Sequence, residues 1–536
     1  MHTLPIKLAA ATRKLAIYVG PSMKTAADII GQFANATEAD KLLINKAYAV
    51  TAAAHAGQNR YSGEPYLLHV ANVGFKLAEM GMGPRTVAAG LLHDTIEDTP
   101  VTVDQIRTEF GEEILFLVEG VTKLSSVRYY GTDRHNESLR KLFVATSQDI
   151  RVVIIKLTDR LHNMETLSHV PAEKQLRIAR ETLEIYVPVA HRLGMGKIRK
   201  ELEDLAFPYV YPEEYQRVLK LLETRAGKTN EILERERKVL QKRLAEAKVI
   251  DFNTSYRVKG LFSLYHKLSR KEWDIAVVYD LLAIRVIVPT VEECYQTLGI
   301  IHQLWRPLPG RMKDYIAFPK PNGYQSIHTT VTTPHGAILE IQIRTKQMHQ
   351  ESEFGVAAHF IYKQPTISGP AVGVGRFANL IPSLFRPFAR AAVPTNLDKD
   401  DAAVPHKEKI PGWISQIGEM HTRDKSTGDE FMTEMRADFF SNRIFVFTPN
   451  GDVVDLPVGA TPIDFAYAIH SDIGDHISGV KVNKKLVQFD TELRNGDIVE
   501  VETRKGAKPT KKWLDMTKTT LAKRRIRAAL EEQVVG

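Results

Sequence analysis

Hydrophobic positions in the first two hundred residues recur three and four apart. The pattern is clearest in three segments, INKAYAVTAAAHA (44–56), YLLHVANVGFKLAEM (66–80) and RTVAAGLLHDTIED (85–98). This spacing places apolar side chains on one face of a helix. We therefore predict an all-α domain over residues 1–200. Residues 201–250 are charged, with too few apolar positions for an independent core, so we predict a helical connector there.

The pattern changes near residue 276 to short β-branched runs bounded by proline and glycine. These runs are AVVYDLLAIRVIV (276–288), IHTTVTTPHG (327–336) and AILEIQIRT (337–345), and the helical stretch VEECYQTLGIIHQLW (291–305) lies between them. Strands interleaved with helices predict an α+β domain built on a mixed sheet, which we place at residues 251–363. Residues 364–440 begin with a proline-rich stretch and are predicted to be a linker and helical connector.

The last part of the chain predicts a small β module. IFVFTPNGDVVDLP (444–457) has the pattern of strand, turn and strand, and PIDFAYAIHS (462–471) has that of a short helix. Two further strands are predicted in VKVNKKLV (480–487) and DIVEVET (497–503). We expect a compact β-grasp-like domain over residues 441–503, followed by a basic tail over 504–536.

Composition narrows the class of protein. With 536 residues and 43% hydrophobic content, the chain is long enough for several buried cores. Its one cysteine, Cys294, excludes internal disulfides and thiolate metal clusters. We therefore expect a cytoplasmic location, and His, Asp or Glu as the ligands of any metal. Arg13 and Lys14 interrupt the apolar start, so we expect no targeting segment and no membrane partner.

Positive charge is concentrated in the predicted tail. The formal net charge is +8, and residues 504–536 hold ten Lys or Arg against Asp515, Glu531 and Glu532. Such an excess, with Trp513 among the cations, suits contact with a nucleic-acid backbone without recognition of its sequence. The alternative is a solvated, flexible end.

The segment LLHDTIEDT (91–99) carries the strongest chemical signal in the chain. On a continuous helix His93 would lie over Glu97, and Asp94 over Asp98, so that one flank would present all four groups. A solvated helix end would also explain these residues taken alone.

Two residues elsewhere favour a metal site over that alternative. His69 lies among apolar neighbours in YLLHVANV, and Asp159 follows the apolar run VVIIK. Burial of imidazole and carboxylate groups on apolar faces costs free energy unless each group has a polar or charged partner. One divalent cation can be the partner of several such groups at once. The candidate ligands, which suit Mn²⁺ or a similar ion, are His69, His93, Asp94 and Asp159.

A metal ion in this position would polarise a phosphoryl oxygen and acidify a bound water, which is an efficient way to hydrolyse a phosphate ester. Glu97 and Asp98, one turn further on, are predicted to orient that water or carry its proton rather than bind the ion.

Several motifs, in order along the chain, resemble the long RelA/SpoT-homologue family. They are RYSGEPYLLHV (60–70), HDTIEDT (93–99), KLTDRLHNMETL (156–167), RMKDYIAFPKPNGYQSIHTTV (311–331) and EIQIRT (340–345). The resemblance implies an HD-type hydrolase domain, a nucleotidyltransferase-like synthetase domain and a TGS domain. It also implies synthesis and degradation of the alarmone (p)ppGpp in the stringent response.

For the hydrolase, the resemblance implies removal of pyrophosphate from the 3′ position of ppGpp or pppGpp. The four candidate ligands match the family's Mn²⁺ ligands, and Glu97 with Asp98 matches its catalytic acidic pair. Arg60 matches an arginine against the guanine, and Asn163 matches a nucleotide-contacting asparagine. Tyr61 departs from the family, which usually has a basic or small polar residue there. A tyrosine can stack on a purine, and the alternative is a turn residue before Ser62-Gly63.

In the α+β domain, YRVKGLFSLYHKL (256–268) crowds positive charge on one side of a strand-to-helix segment. The candidate phosphate-binding residues in this segment are Arg257, Lys259, Ser263 and Lys267. A solvated face is one explanation, and a cradle for a triphosphate is the better one beside the other motifs. Asp280 and Glu340 are carboxylates inside apolar strand patterns. The resemblance assigns both to Mg²⁺, with Glu340 also a candidate base for the acceptor 3′-hydroxyl.

The acceptor nucleotide is expected near the turn at Asn322-Gly323, which presents Tyr324 for stacking on a guanine; a core tyrosine is the alternative. The remaining nucleotide contacts implied by the resemblance are Arg285, Lys313, His328, Gln342 and Arg344. The implied reaction carries the β,γ-pyrophosphoryl group of ATP to the 3′-oxygen of GDP or GTP.

Two features bear on subtype and partners. Arg311-Met312-Lys313-Asp314 has the basic form found in bifunctional members of the family. His470, in the TGS-like segment, matches a residue that faces the 3′ end of uncharged tRNA on the ribosome, although a lone histidine in a small domain is usually structural. The sequence ends at Gly536 and does not include the family's further C-terminal regions, so it does not predict whether the ribosome activates the enzyme.

Two other hypotheses compete with a bifunctional alarmone enzyme. One is a hydrolase-dominant protein or general HD nucleotidase with a weak or silent second domain, which would release phosphate from many nucleotides. The other is a ribosome or tRNA sensor without turnover, which would require a broken set of metal ligands.

Overall fold

The computed structural model describes residues 23–125, 149–249, 251–274, 282–320, 322–358, 443–449, 453–494, 496–504 and 506–535. The chain divides into two compact units, and the first contains the described residues up to 358 while the second contains those from 443 onward. The predicted linker at 364–440, Asp280 and the N-terminal stretch with Arg13 and Lys14 lie outside the described residues.

The first part of unit one is helical, as predicted. Its helices are α1 (Ala26–Ile30), α2 (Glu38–Ala54), α3 (Tyr66–Glu79), α4 (Pro84–Leu92), α5 (Thr95–Asp98), α6 (Val103–Phe110), α7 (Glu112–Ser125), α8 (Ile150–Glu165), α9 (Ala172–Glu181), α10 (Val187–Arg192) and α11 (Gly196–Val210). A 3₁₀ turn at Leu167–His169 and a π-helical turn at Thr182–Tyr186 join α8 to α10.

Helix α8 lies at the centre of this domain. Asp149 caps its first turn by accepting a hydrogen bond from the Arg151 backbone N–H. The helix is buried along most of its length and contacts α3, α7 and α11. Polar groups that α8 carries, including Lys156 and Asp159, are therefore buried and must be paired.

The second part of unit one is the predicted α+β domain. Its strands are β1 (Asn253–Val258), β2 (Leu282–Val288), β3 (Arg306–Pro307), β4 (Lys313–Asp314), β5 (Ile327–Thr332) and β6 (Ile338–Thr345). They form one sheet in the order β1-β2-β6-β5-β3, with β4 beside β5. The β2–β6 pair is parallel and the other pairs are antiparallel, so the prediction of a mixed sheet is confirmed.

Four helices belong to this sheet domain. They are α12 (Pro212–Glu246), α13 (Leu261–Ser269), α14 (Val291–Leu304) and α15 (Lys346–Phe354). Helix α12 falls within the predicted connector, but Val218, Leu240 and Leu244 on it are fully buried in the same core as the sheet. The interpretation of 201–250 as a mere connector was wrong in this respect, because a long helix needs only one apolar face to join a neighbouring core.

Unit two contains the predicted strands and short helix. Strands β7 (Arg443–Phe447) and β8 (Val453–Pro457) form an antiparallel pair, and β9 (Ile477–Val482), β10 (Lys485–Leu486) and β11 (Val499–Thr503) form a second sheet. Helices α16 (Pro462–Ile469) and α17 (Ser471–Asp475) lie between β8 and β9 in the sequence.

The basic tail is folded onto this module over its described length. It forms α18 (Lys512–Met516) and α19 (Thr520–Val535), and Trp513, Ala522 and Ile526 are buried in the module's core. The buried Asp464 carboxylate accepts hydrogen bonds from the backbone N–H groups of Lys518 and Thr519. A flexible end is therefore wrong for this segment, and the Trp513 ring is not free to stack on nucleic acid.

Within the described residues, no helix combines the length and the apolar character needed to cross a membrane.

Candidate active sites

The helix that was predicted to run through LLHDTIEDT is interrupted. Helix α4 ends at Leu92, and α5 starts at Thr95. The His93 ring bonds the Gly90 carbonyl through Nδ1 at 2.8 Å, and the Thr95 hydroxyl donates to the Leu92 carbonyl at 2.6 Å. Side chains that bond the local backbone compete with the helical ladder, so His93 and Asp94 occupy a turn.

Asp94 and Asp98 nevertheless lie on one side of this turn. The Tyr66 hydroxyl donates to Asp94 Oδ2 at 2.7 Å and lies 3.1 Å from Asp98 Oδ2. Glu97 and Asp98 are exposed, whereas His93 is fully buried. The segment therefore presents Glu97 and Asp98 toward solvent, whereas His93 and the largely buried Asp94 face the core.

Four side chains from three regions converge beneath this turn. His69 Nε2 lies 3.5 Å from Asp94 Oδ2 and 3.3 Å from Asp159 Oδ1. His93 Nε2 lies 3.2 Å and 3.8 Å from the same two oxygens. One ligand atom each of His69, His93 and Asp159 falls within 4.8 Å of the others. The sequence prediction thus named residues that the fold brings together.

The chemistry of this cluster suits a divalent cation. His93 Nε2 is buried and faces the carboxylate oxygens of Asp94 and Asp159, so it is placed to serve as a ligand beside them. Burial lowers the pKa of His93, but the Asp94 and Asp159 carboxylates outweigh it and raise the pKa to about 10. Two buried carboxylates thus attract positive charge strongly, and a metal ion would supply it instead of a proton.

Glu97 has a property expected of a residue that handles protons. Partial burial, followed by the negative charge of Asp94, raises the pKa of its carboxyl. A carboxyl with a raised pKa exchanges a proton more readily near neutral pH.

Three neighbours of the cluster escaped sequence analysis. Lys156 Nζ donates to Asp159 Oδ2 at 2.7 Å, and Tyr66 contacts Asp94. His162 is fully buried and places Nδ1 2.9 Å from His69 Nδ1. Burial and nearby positive charge hold the pKa of His162 well below its ordinary value. Helical spacing could have identified Lys156 and His162, because residues three positions before and after Asp159 lie beside it on α8.

The predicted nucleotide contacts of the first site lie at its rim. The Arg60 guanidinium donates to Asn163 Oδ1 and lies 3.1 Å from His162 Nδ1. Asn163 in turn donates to Asp159 Oδ1 at 2.6 Å. Tyr61 occupies a turn with 66% of its surface exposed, so its ring is accessible.

The second site begins at the junction of β1 and α13. Arg257 lies on β1, Lys259 follows it, and Ser263 and Lys267 share a face of α13. The Ser263 hydroxyl donates to Glu203 Oε2 at 3.2 Å. A carboxylate of the helical domain thus holds the serine that was predicted to contact phosphate, a contact that sequence analysis missed.

The adjacent carboxylate, Asp204, caps α13. Its Oδ1 accepts a hydrogen bond from the Phe262 backbone N–H at 3.1 Å. A Cβ added to Gly260 would lie 3.0 Å from that oxygen, so a larger residue there would press on the carboxylate. Burial raises the pKa of Asp204 to about 6, although backbone hydrogen bonds oppose the shift.

A hydrogen-bonded chain crosses the sheet near the predicted acceptor site. The Tyr324 hydroxyl and His328 Nε2 lie 2.7 Å apart, and His328 Nδ1 lies 3.1 Å from Glu340 Oε1. Gly323 has a φ of 76°, which a glycine adopts without strain, so the predicted turn at Asn322-Gly323 is confirmed. Tyr324 is half-buried.

Two of the predicted cations of this site share one carboxylate. Arg285 and Arg344 both approach Glu353, at 3.3 Å and 3.5 Å. Burial, followed by the charge of Arg285, lowers the pKa of Arg344 to about 10. Gln342 is buried and donates to Glu340, and Lys313 pairs with His328 in the strand register. Such an excess of cations suits a polyphosphate.

Lys320 is a further cation that sequence analysis missed. Its ammonium lies 4.6 Å from the centre of the Tyr315 ring and 5.1 Å from that of Tyr324. The lysine therefore stands beside the tyrosine predicted to stack on the acceptor base.

His470 has a structural role in unit two. It ends α16, and its Nδ1 accepts a hydrogen bond from the Asp472 backbone N–H at 3.1 Å, which caps α17. The residue is exposed, so its other ring nitrogen remains accessible.

Three parts of the chain match known families. Residues 47–196 match the HD domain, residues 256–366 match the region found in RelA / SpoT proteins, and residues 444–503 match the TGS domain.

Curated relatives match across most of the chain. A GTP pyrophosphokinase of Streptomyces coelicolor is 45% identical over 487 residues, covering 90% of this chain and 55% of that protein. The bifunctional (p)ppGpp synthase/hydrolase SpoT of Escherichia coli is 40% identical over 489 residues, covering 91% and 64%. A guanosine-3′,5′-bis(diphosphate) 3′-pyrophosphohydrolase of Aquifex aeolicus is 40% identical over 495 residues, covering 91% and 65%. The chain spans between 55% and 65% of the length of these relatives.

Solved structures match smaller parts. The small alarmone synthetase 1 of Bacillus subtilis, bound to its product pppGpp, is 25% identical, covering 22% of this chain and 69% of that one with a TM-score of 0.19. A metazoan orthologue of SpoT that hydrolyses ppGpp is 22% identical, covering 32% and 88% with a TM-score of 0.24.

Proposed function

We propose that the chain is a member of the RelA/SpoT-homologue family and that it both degrades and makes (p)ppGpp at two separate sites. The observation that carries the proposal is the contrast between those sites. One is a buried cluster of two imidazoles and two carboxylates, and the other brings Arg285 and Arg344 together beside Glu353 and places His328 against Glu340.

At the first site, His69, His93, Asp94 and Asp159 would hold Mn²⁺, which when bound polarises a phosphoryl oxygen and acidifies a water. The water's oxygen forms a bond to phosphorus as the bond to the 3′-oxygen breaks, and pyrophosphate leaves. Glu97 and Asp98 take the proton from the water and return one to the departing 3′-oxygen.

The substrate nucleotide is positioned at the rim of this site. Arg60 and Asn163 contact each other and would bind the nucleotide together, while the exposed Tyr61 ring would stack on the base. The raised pKa of Glu97 supports its role in proton transfer.

At the second site, the chain would transfer the β,γ-pyrophosphoryl group of ATP to the 3′-oxygen of GDP or GTP. Arg257, Lys259, Ser263 and Lys267 would hold the triphosphate, and Asp280 with Glu340 would hold Mg²⁺, which neutralises phosphate charge when bound. Glu340 accepts the 3′-hydroxyl proton, the new P–O bond forms, and AMP leaves. Tyr324 stacks on the acceptor base, and the other proposed nucleotide contacts are Arg285, Lys313, His328, Gln342 and Arg344.

We also propose a cytoplasmic protein that contacts ribosome and uncharged tRNA through unit two. The accessible His470 ring and the lysines and arginines of the tail support this role. Contact through such cations would weaken steeply as salt rises.

The test is chromatography of the products of purified protein. Given ATP and GDP with Mg²⁺, it should form AMP and ppGpp, and given ppGpp with Mn²⁺ it should form GDP and pyrophosphate. Asp94→Ala should lose only the second reaction, and Asp280→Ala only the first. Release of phosphate from many nucleotides without an ATP-dependent product would instead support a general HD nucleotidase.

A further inference from the structure

We propose that His162 is a positioning residue that holds His69 in the tautomer able to bind metal, through one lone pair that it shares between His69 and Arg60. The inference rests on the proposed hydrolase function. His162 is not among the predicted ligands or nucleotide contacts, and it is fully buried on α8, three residues after Asp159.

The contacts of one ring atom carry the argument. His162 Nδ1 lies 2.9 Å from His69 Nδ1 and 3.1 Å from Arg60 Nη1. The guanidinium has only donors. A hydrogen on His162 Nδ1 would therefore point at another hydrogen, so Nδ1 must be the acceptor in both contacts.

The state of His69 follows from that of His162. Because His162 Nδ1 accepts, the hydrogen of this pair belongs to His69 Nδ1. The other nitrogen of His69 then carries a free lone pair. That atom, Nε2, lies 3.3 Å from Asp159 Oδ1 and 3.5 Å from Asp94 Oδ2, among the other candidate ligands. His162 thus selects the tautomer in which His69 can bind a metal ion.

The two candidate histidine ligands are oriented by different kinds of acceptor. His93 is oriented by a backbone carbonyl, since its Nδ1 lies 2.8 Å from the Gly90 oxygen. At His69 Nδ1 the corresponding position is occupied by His162 Nδ1, 2.9 Å away. Partners of this kind raise a ligand's basicity, and their loss costs roughly 10–100-fold in metal affinity.

The second contact links metal binding to the substrate rim. Arg60 also donates to Asn163, and both residues are proposed to contact the nucleotide. Since Arg60 and His69 share one acceptor, a change at either is transmitted through His162. Metal affinity should therefore respond to Arg60, although its guanidinium is not a ligand.

A matched set of variants at position 162 tests the inference. In His162→Asn the side-chain oxygen can take the place of Nδ1, whereas in His162→Gln the polar atoms reach the place of Nε2, and His162→Leu has no acceptor. The Mn²⁺ dissociation constant of the full chain is measured from the EPR signal of free Mn²⁺, without substrate. The Gln and Leu variants should bind about 10–100-fold more weakly than the wild type, and the Asn variant should retain most of the affinity.

Thermal melting in EDTA and formation of ppGpp from ATP and GDP verify that each variant folds. If His162→Leu fails to fold, the comparison of Asn with Gln decides. Equal loss in Asn and Gln would overturn the inference, because packing of the ring would then matter and not the acceptor. Unchanged affinity in all variants would also overturn it. If His69→Ala bound Mn²⁺ as well as the wild type, the proposed hydrolase site itself would fail.

Discussion

The two candidate sites of unit one differ in sign and in construction. The first collects carboxylates and imidazoles from α3, α8 and the turn after α4, all directed into a core. The second has cations on strands of the sheet and on α13. Glu203 and Asp204 of the neighbouring helical domain hydrogen-bond to the first turn of that helix. A buried anionic cluster selects a cation, whereas a cluster of arginines and lysines selects a polyphosphate.

Because the two sites are built from different residues, a substitution in one site should abolish its own activity and leave the other activity unchanged. Asp94→Ala should reduce ppGpp hydrolysis by about a thousandfold or more, since it removes both a metal ligand and the charge that draws the ion. Pyrophosphoryl transfer should be unchanged. Both rates are measured on one preparation, and equal loss of both activities would show that the sites are not separate.

The reciprocal change is Glu340→Gln. It removes the proposed base while keeping the length of the side chain, and ATP-dependent synthesis should fall by about 10²–10⁴-fold. The Mn²⁺-dependent reaction should persist. Thr330→Ser, on the neighbouring strand opposite Glu340, serves as the matched control, and synthesis that survives Glu340→Gln would remove this residue from the chemistry.

Asp204, which caps α13 from the neighbouring helical domain, predicts a pH dependence of the free energy of unfolding. Its pKa is about 6 in the folded chain against an ordinary value of 3.8, so the folded protein binds the proton more tightly. The bound proton of Asp204 therefore adds up to about 3 kcal/mol to the free energy of unfolding. This contribution is present below pH 4 and is lost as the pH rises through 6. Asp204→Asn should remove this slope, as followed by urea unfolding from pH 4 to 7. Identical slopes in variant and wild type would contradict the assignment.

Tyr61 predicts the smallest effect. Because its ring is exposed at the rim, Tyr61→Ala should raise the KM for ppGpp by an amount equivalent to about 1 kcal/mol, while Tyr61→Phe should leave it unchanged. The hydrolysis rate at saturation should not move in either variant. Equal KM values for Ala and wild type would make Tyr61 a turn residue only.

Sequence patterns predicted more about the first site than about its surroundings. His69, His93, Asp94 and Asp159 were recognisable because polar groups in apolar helical patterns need partners. The break at His93 was not, since it depends on where the ring and the Thr95 hydroxyl find backbone acceptors. The role of His162 could not be predicted for a related reason, because it depends on a contact with His69, which lies 93 positions away in the sequence.

The second site shows the same limit on a larger scale. Strand and turn patterns predicted the mixed sheet and the turn before Tyr324. They could not predict that α12 joins the sheet's core, because an amphipathic helix does not reveal which core its apolar face meets. Residues 201–250 were interpreted as a charged connector, yet Glu203 within them is buried against Ser263.

Anomalous diffraction at the manganese edge tests the central claim most directly. Crystals of the chain soaked in Mn²⁺ should give one strong peak bounded by His69 Nε2, His93 Nε2 and oxygens of Asp94 and Asp159, at the distances of metal bonds. No peak at this position, with the four side chains still converging, would contradict the account.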